Sequence, residues 1–153
     1  LCLNRTVSVF LFPESEFYKM ESRPRGFCLI FNNMSFKDKK IDRHGANLDE
    51  EKLRDLFEKL HFKVCVFNNK ERLEMMVICK RFGTEEDHSR YDAFVCIIMS
   101  HGTSGDQIMG VDERTIGIVF QPCTENEVFL SFNELSISSV QPLIILLLLL
   151  LLL

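Results

Sequence analysis

Three short strand-like runs constrain this chain more than any other feature: Gly26-Phe27-Cys28-Leu29-Ile30-Phe31, Phe62–Phe67, and Ala93-Phe94-Val95-Cys96-Ile97-Ile98. The first and third are apolar without alternation, which predicts strands buried on both faces. Between the runs lie two segments of helical periodicity. In the first, Asn47 is a candidate N-cap with Glu50 three residues on, and Leu53, Leu56, Phe57 and Leu60 recur at i, i+3, i+4, i+7. The second is expected over residues 70–82, capped from Asn68-Asn69 and stopped by Gly83, with Leu73, Met76, Val77 and the stem of Lys80 on its inner face. A small hairpin is expected after the third run, with arms around Gln107–Met109 and Thr115–Ile118.

The order β-α-β-α-β predicts an α/β fold: a mostly parallel sheet with helices packed on both faces. Functional sites in such sheets lie beyond the carboxyl ends of the strands. His101 follows the third run there, and Arg43 lies in the polar loop after the first. Each alone reads as an ordinary loop residue; their convergence on one sheet edge is the functional signal.

Composition narrows the class. A length of 153 residues suits one domain. All 18 basic residues and 19 of the 22 acidic ones lie in residues 1–118, leaving −1 there and −3 beyond. No basic surplus exists for phosphate binding, so a nucleic-acid partner is not expected. With 46% hydrophobic residues, the chain is not an acidic disordered one either. The terminal run Leu143-Ile144-Ile145 plus eight leucines falls short of the roughly 20 residues that span a bilayer. Val7–Phe12 is too short and interrupted for a signal peptide. The six cysteines form no C-x-x-C pair, and no metal-ligand spacing links them to the histidines. A reducing, cytoplasmic setting is expected.

Several ordered stretches then carry a resemblance. They are Tyr18-Lys19-Met20; Arg25–Ile30 with Asn32-Asn33; Arg43-His44-Gly45-Ala46-Asn47-Leu48-Asp49; Leu56–Phe62; Glu86-Asp87-His88-Ser89; and Phe94–Gly102. Residues 17–118 resemble the large-subunit half of a caspase, and Tyr18-Lys19-Met20 with Leu60-His61-Phe62 most resemble an initiator caspase engaged at death receptors. The resemblance implies a partial caspase-like three-layer sandwich, incomplete at its C-terminus. It implies that His101 handles protons for a cysteine nucleophile, that the Gly102 amide is an oxyanion-hole donor, and that Arg43 grips a substrate aspartate. It implies no cofactor. The implied partners are protein substrates cut after Asp, a caspase small subunit and a homodimer partner. His44, His61 and His88 match no catalytic position.

After Ile118 the pattern breaks. The family expects a further helix, then a strand delivering the nucleophile in a Gln-Ala-Cys-x-Gly signature. The nearest match is Gln121-Pro122-Cys123-Thr124, with Pro in place of Ala and no glycine two residues after the cysteine. Cys123 also follows His101 by too short an interval for a parallel crossover added to the hairpin. No nucleophile is therefore assigned. Residues 1–16 read as a linker or unrelated segment, 17–118 as the partial domain, and 119–153 as a divergent tail outside the fold. The chain beginning at Leu1 reads as a fragment. The far edge of the third strand is expected to be unpaired.

Two functions compete. One is a caspase-family endopeptidase whose catalytic half is represented here, inactive alone. The other is a nucleophile-lacking homologue that binds and regulates an active caspase or an adaptor. A generic nucleotide-binding or response-regulator domain lacks both the Gly-rich fingerprint after the first strand and an Asp cluster at the strand ends.

Overall fold

The computed structural model describes residues 20–103, 107–122, 128–132, 135–137 and 143–147, with side chains described over 20–103 and 107–117. Strand β1 (Phe27–Asn32) lies between β2 (Lys63–Asn68) and β3 (Ala93–Met99), and both pairings are parallel. Helices α1 (Ala46–Lys59) and α2 (Arg72–Thr84) form the two crossovers. β1 explains why its sequence shows no alternation. Leu29 and Phe31 enter one core with Met75, Met76, Cys79 and Phe82 of α2, while Cys28 and Ile30 enter another with Leu53 and Phe57 of α1. Both faces of β1 are thus covered, and Cys28, Leu29, Ile30 and Phe31 are all 0% exposed. Each large apolar side chain so buried contributes about 1.5–3 kcal/mol. The expected α/β architecture of three layers is the observed one.

Gly26, at the entrance to β1, has no room for a side chain, because a Cβ there would lie 1.6 Å from the Ala93 carbonyl oxygen. That close approach lets the backbone of Arg25 and Gly26 tie the three strands together. The Arg25 oxygen accepts from Asp92 and Ala93, and the Gly26 oxygen accepts from Lys63.

Helix boundaries depart from the sequence reading. Asn47 does not cap α1. Gly45 does, in a left-handed conformation (φ 87°) that glycine adopts at little cost, so the helix begins before Asn47. The Glu50 carboxylate is used elsewhere, accepting from Asn32 Nδ2 at 2.8 Å. α2 is capped by Glu71, in a capping box with Glu74, rather than from Asn68-Asn69. Asn69 instead turns its Oδ1 to the amides of Met34 and Ser35. Gly83 lies inside the helix, which runs on to Thr84.

The inner face of α2 is also corrected. It is Met75, Met76, Cys79 and Phe82 that are buried, while Leu73 and Val77 are 55% and 66% exposed. The two faces share Met76. The helix is rotated so that Phe82, the largest apolar side chain in its last turns, packs against Phe27 and Phe67.

Past β3 the chain forms an antiparallel sheet in the order β4 (Gly102–Thr103), β5 (Gln107–Met109), β6 (Thr115–Pro122), β7 (Val128–Phe132), β8 (Leu135–Ile137). The predicted hairpin is β5–β6, with Ile108 opposite Ile116. Strand β9 (Leu143–Leu147) then returns to the first sheet and pairs in parallel with β3, from Ala93 opposite Leu143 to Ile97 opposite Leu147. The far edge of β3 is therefore not open, and the strand that fills it comes from the segment read above as lying outside the fold. The physical reason is that β3 is apolar and its backbone groups need partners. A run such as Leu143-Ile144-Ile145-Leu146-Leu147 has the unbroken apolar character of a buried parallel strand.

Candidate active site

The site is built at the carboxyl ends of β1 and β3. Two amides end β1, and both are fully buried. Asn32 donates from Nδ2 to the Ala46 oxygen at 3.2 Å as well as to Glu50. Asn33 donates its main-chain N–H to Met99 O at 2.9 Å, and from Nδ2 to Met109 O at 3.1 Å. Its Oδ1 accepts from the Lys70 amide at 2.9 Å. The pair thereby holds the end of β1 against β3, α1, α2 and the hairpin. A buried polar group left without partners is costly, so this arrangement is highly specific.

Arg43 is 8% exposed. Its Nη1 donates to the Asn33 main-chain oxygen at 3.0 Å and to Asn32 Oδ1 at 3.4 Å. Burial pulls the guanidinium below its ordinary range, and Asp49 opposes that pull. Both bonds leave from one nitrogen, so the Nε–Nη2 edge is the part with the geometry to meet a carboxylate bidentately.

His101 follows Ser100, whose buried hydroxyl donates to Met109 O. The imidazole Nε2 lies 2.6 Å from the Ile41 main-chain oxygen. A carbonyl only accepts, so Nε2 carries a hydrogen, and in the neutral imidazole the lone pair is then on Nδ1. Phe36 packs against the same ring, with centroids 4.8 Å apart and planes tilted by 47°. Gly102 begins β4 and pairs with Ile108, which fixes the backbone beside His101.

One loop, residues 34–43, therefore carries Arg43 and touches His101 twice. Arg43 is bonded to the end of β1 and His101 follows the end of β3, and this one loop reaches both. Asn32, Asn33, Phe36, Ile41 and Ser100 received no role in the sequence reading. Two consecutive amides closing an apolar strand, and a single aromatic within a lysine-rich loop, were the available signals.

The other histidines lie apart. His44 is exposed. His61 contacts Arg23 at the surface. His88 sits among Phe27, Tyr91 and Phe94.

Three of the described cysteines, Cys28, Cys65 and Cys96, are poor nucleophiles. Burial pushes the Cys28 thiol up to about 12, aided by Cys96 and Cys65. A hydrogen bond with Cys79, then burial, raises Cys96. Burial, then Glu86, raises Cys65. Thiolates are the reactive form, so such thiols stay inert near neutral pH. Gln121 and Pro122 lie in β6, and Cys123 falls outside the described residues. Among the described residues, no group of three or more His, Cys, Asp or Glu could hold a metal ion. No helix among them is long and apolar enough to cross a membrane.

A family model described as Caspase domain matches residues 25–145. The chain belongs to the caspase family. Caspase-8 of Rattus norvegicus is 36% identical over 110 residues, covering 66% of this chain and 22% of that protein. Caspase-10 of Homo sapiens is 37% identical over 101 residues, covering 66% of this chain and 19% of that protein. Caspase-3 of Mesocricetus auratus is 38% identical over 97 residues, covering 62% and 34%. This caspase chain thus spans 22% of the rat caspase-8 it matches, a partial length. The initiator-like resemblance accords with caspase-8 and caspase-10 standing among its relatives. The caspase match also runs past Ile118, through the first strand residues of β9.

Proposed function

We propose that this chain supplies the histidine-and-arginine half of a caspase-type cysteine endopeptidase that hydrolyses peptide bonds after aspartate, and that it is inactive alone. The observation that carries this reading is the loop over residues 34–43, which bears Arg43 and presents its Ile41 carbonyl to His101 Nε2 at 2.6 Å. With Nε2 so engaged, Nδ1 is the atom that takes a proton from a thiol and later returns it to the leaving amine. The Gly102 amide donates to the oxyanion as it forms. Arg43 receives the substrate aspartate on its Nε–Nη2 edge. The nucleophile comes from the helix and strand that the large-subunit pattern calls for after Ile118, a second aspartate-binding arginine comes from a small subunit, and the assembled enzyme pairs with a second copy. A general base and an oxyanion donor without a nucleophile give at most residual catalysis. A reducing cytoplasmic setting suits such an enzyme, whose nucleophile must stay a free thiol.

A second reading draws on β9. It lies beside β3, where the family pattern calls for the nucleophile strand, and its residues are leucine and isoleucine. That favours a homologue that binds and regulates an active caspase instead of cutting substrate.

The test uses the purified chain with a fluorogenic peptide ending in Asp, and NMR titration with an Asp-ended peptide. The expected result is no turnover, with weak binding that shifts Arg43 and His101 signals and vanishes in Arg43→Ala. Turnover that is lost in Cys123→Ala overturns the inactivity. Binding indifferent to replacing Asp with Asn in the peptide overturns the aspartate site. Inhibition of an active caspase at stoichiometric amounts selects the second reading.

A further inference from the structure

We propose that Phe36 is a positioning residue for the His101 imidazole, holding it in the Nε2–H tautomer with Nδ1 toward the nucleophile. The proposal rests on the reading of His101 as the proton-handling residue. Phe36 is buried within an exposed stretch of its loop: it is 1% exposed, while Ser35 and Lys37 through Lys40 are exposed. An aromatic side chain within so polar a stretch is held inward by something specific, and the group it meets is the His101 ring.

The loop is shaped to make that contact. The Phe36 amide donates to Asp42 Oδ1 at 2.7 Å, closing the loop on itself. Inside it, the Ile41 amide donates to Asp38 O at 3.1 Å. At its ends, Asn69 Oδ1 accepts from Met34 and Ser35, and the Arg43 amide donates to Met34 O. The imidazole is therefore held by Phe36 against its ring and by the Ile41 carbonyl at Nε2.

The two contacts do different work. A hydrogen bond to Ile41 specifies which nitrogen carries the hydrogen, but water competes for both partners at a half-buried site. The Phe36 ring excludes water from that side and restricts rotation about the Cβ–Cγ bond. Rotation by half a turn would put Cε1 where Nε2 lies and Cδ2 where Nδ1 lies, which breaks the bond to Ile41 and releases the constraint on which nitrogen carries the hydrogen. Phe36 touches no reacting atom, so its effect passes through His101.

Long-range nitrogen-15 NMR of the labelled chain reads the tautomer directly and needs no turnover. The expected result is a single Nε2–H tautomer in the wild type. In Phe36→Leu, which keeps an apolar side chain and removes the ring, a mixture of both neutral tautomers is expected while the amide spectrum stays dispersed. Phe36→Tyr, which keeps the ring, restores the single tautomer. A wild-type chain without the Nε2–H tautomer, or a folded Phe36→Leu chain that keeps it undiluted, overturns the proposal. Should Phe36→Leu fail to fold, Phe36→Met fills the space with a flexible side chain, and an undiluted Nε2–H tautomer there overturns it equally. Failure of Asp-peptide binding with these tautomers as expected would sink the proposed function and leave the positioning role standing.

Discussion

Arg43 donates from Nη1 to the main-chain oxygen of Asn33 at 3.0 Å, so a buried cation and the end of the central strand share one hydrogen bond. Arg43→Ala removes the donor and leaves the Asn33 oxygen and Asn32 Oδ1 facing an empty space. A destabilisation of about 1–3 kcal/mol is expected, the usual cost of orphaning buried polar groups. Arg43→Lys retains charge but not the planar fork, so it should recover part of the stability and none of the aspartate binding. Urea unfolding and peptide titration of both variants check this; full binding by Arg43→Lys would contradict it.

The buried thiols make stability fall with alkali. An ordinary thiol of this kind titrates at 9.0, and Cys28 is pushed up to about 12 by burial. Between those values the unfolded chain has released the proton and the folded chain still holds it. The unfolded state therefore binds fewer protons, and stability declines as pH rises. Its contribution is complete below pH 9.0 and is lost progressively toward about 12. Thermal midpoints across that window should drop in the wild type and drop less in Cys28→Ala, measured relative to each protein's value at pH 7. Peptide mapping after alkylation at pH 8 should find Cys28 and Cys96 protected until urea is added.

The orientation of α2 gives a paired prediction. Met75 is fully buried, whereas Val77, two positions along the same helix, is 66% exposed. Met75→Ala should cost about 2–5 kcal/mol, the range for emptying a core site. Val77→Lys should change stability by less than about 0.5 kcal/mol, as surface substitutions do. Denaturant midpoints reversing that order would show the helix turned the other way.

β9 stands at the end of the described four-stranded sheet. From Leu143 to Leu153 the sequence offers no charge or proline. Natural edge strands are protected by such residues, and an unprotected one recruits further strands. The chain is expected to self-associate in light scattering, and Ile145→Lys is expected to reduce that association. A wild-type chain that stays monomeric at high concentration would refute this.

Much of the fold was legible in the sequence because burial on both faces leaves an unambiguous mark. The runs at Cys28–Phe31 and Val95–Ile98 could be strands of a covered sheet and little else. Arg43 and His101 were legible through topology, since each follows a parallel strand. The face of α2 was not. Leu73 and Val77 satisfy helical spacing as well as Met75 and Cys79 do, and only the packing of Phe82 decides between them. The start of α1 was hidden by Gly45, whose left-handed backbone replaces a side-chain cap. The roles of Asn33 and Phe36 were hidden for another reason: each acts by reaching residues far along the chain, and no local pattern records such a partner.

The loop over residues 34–43 has a consequence for how such a site can change. On the proposed reading it joins recognition, through Arg43, to proton handling at His101, through the Ile41 carbonyl and the Phe36 ring. An inserted or deleted residue between Phe36 and Arg43 would displace both at once.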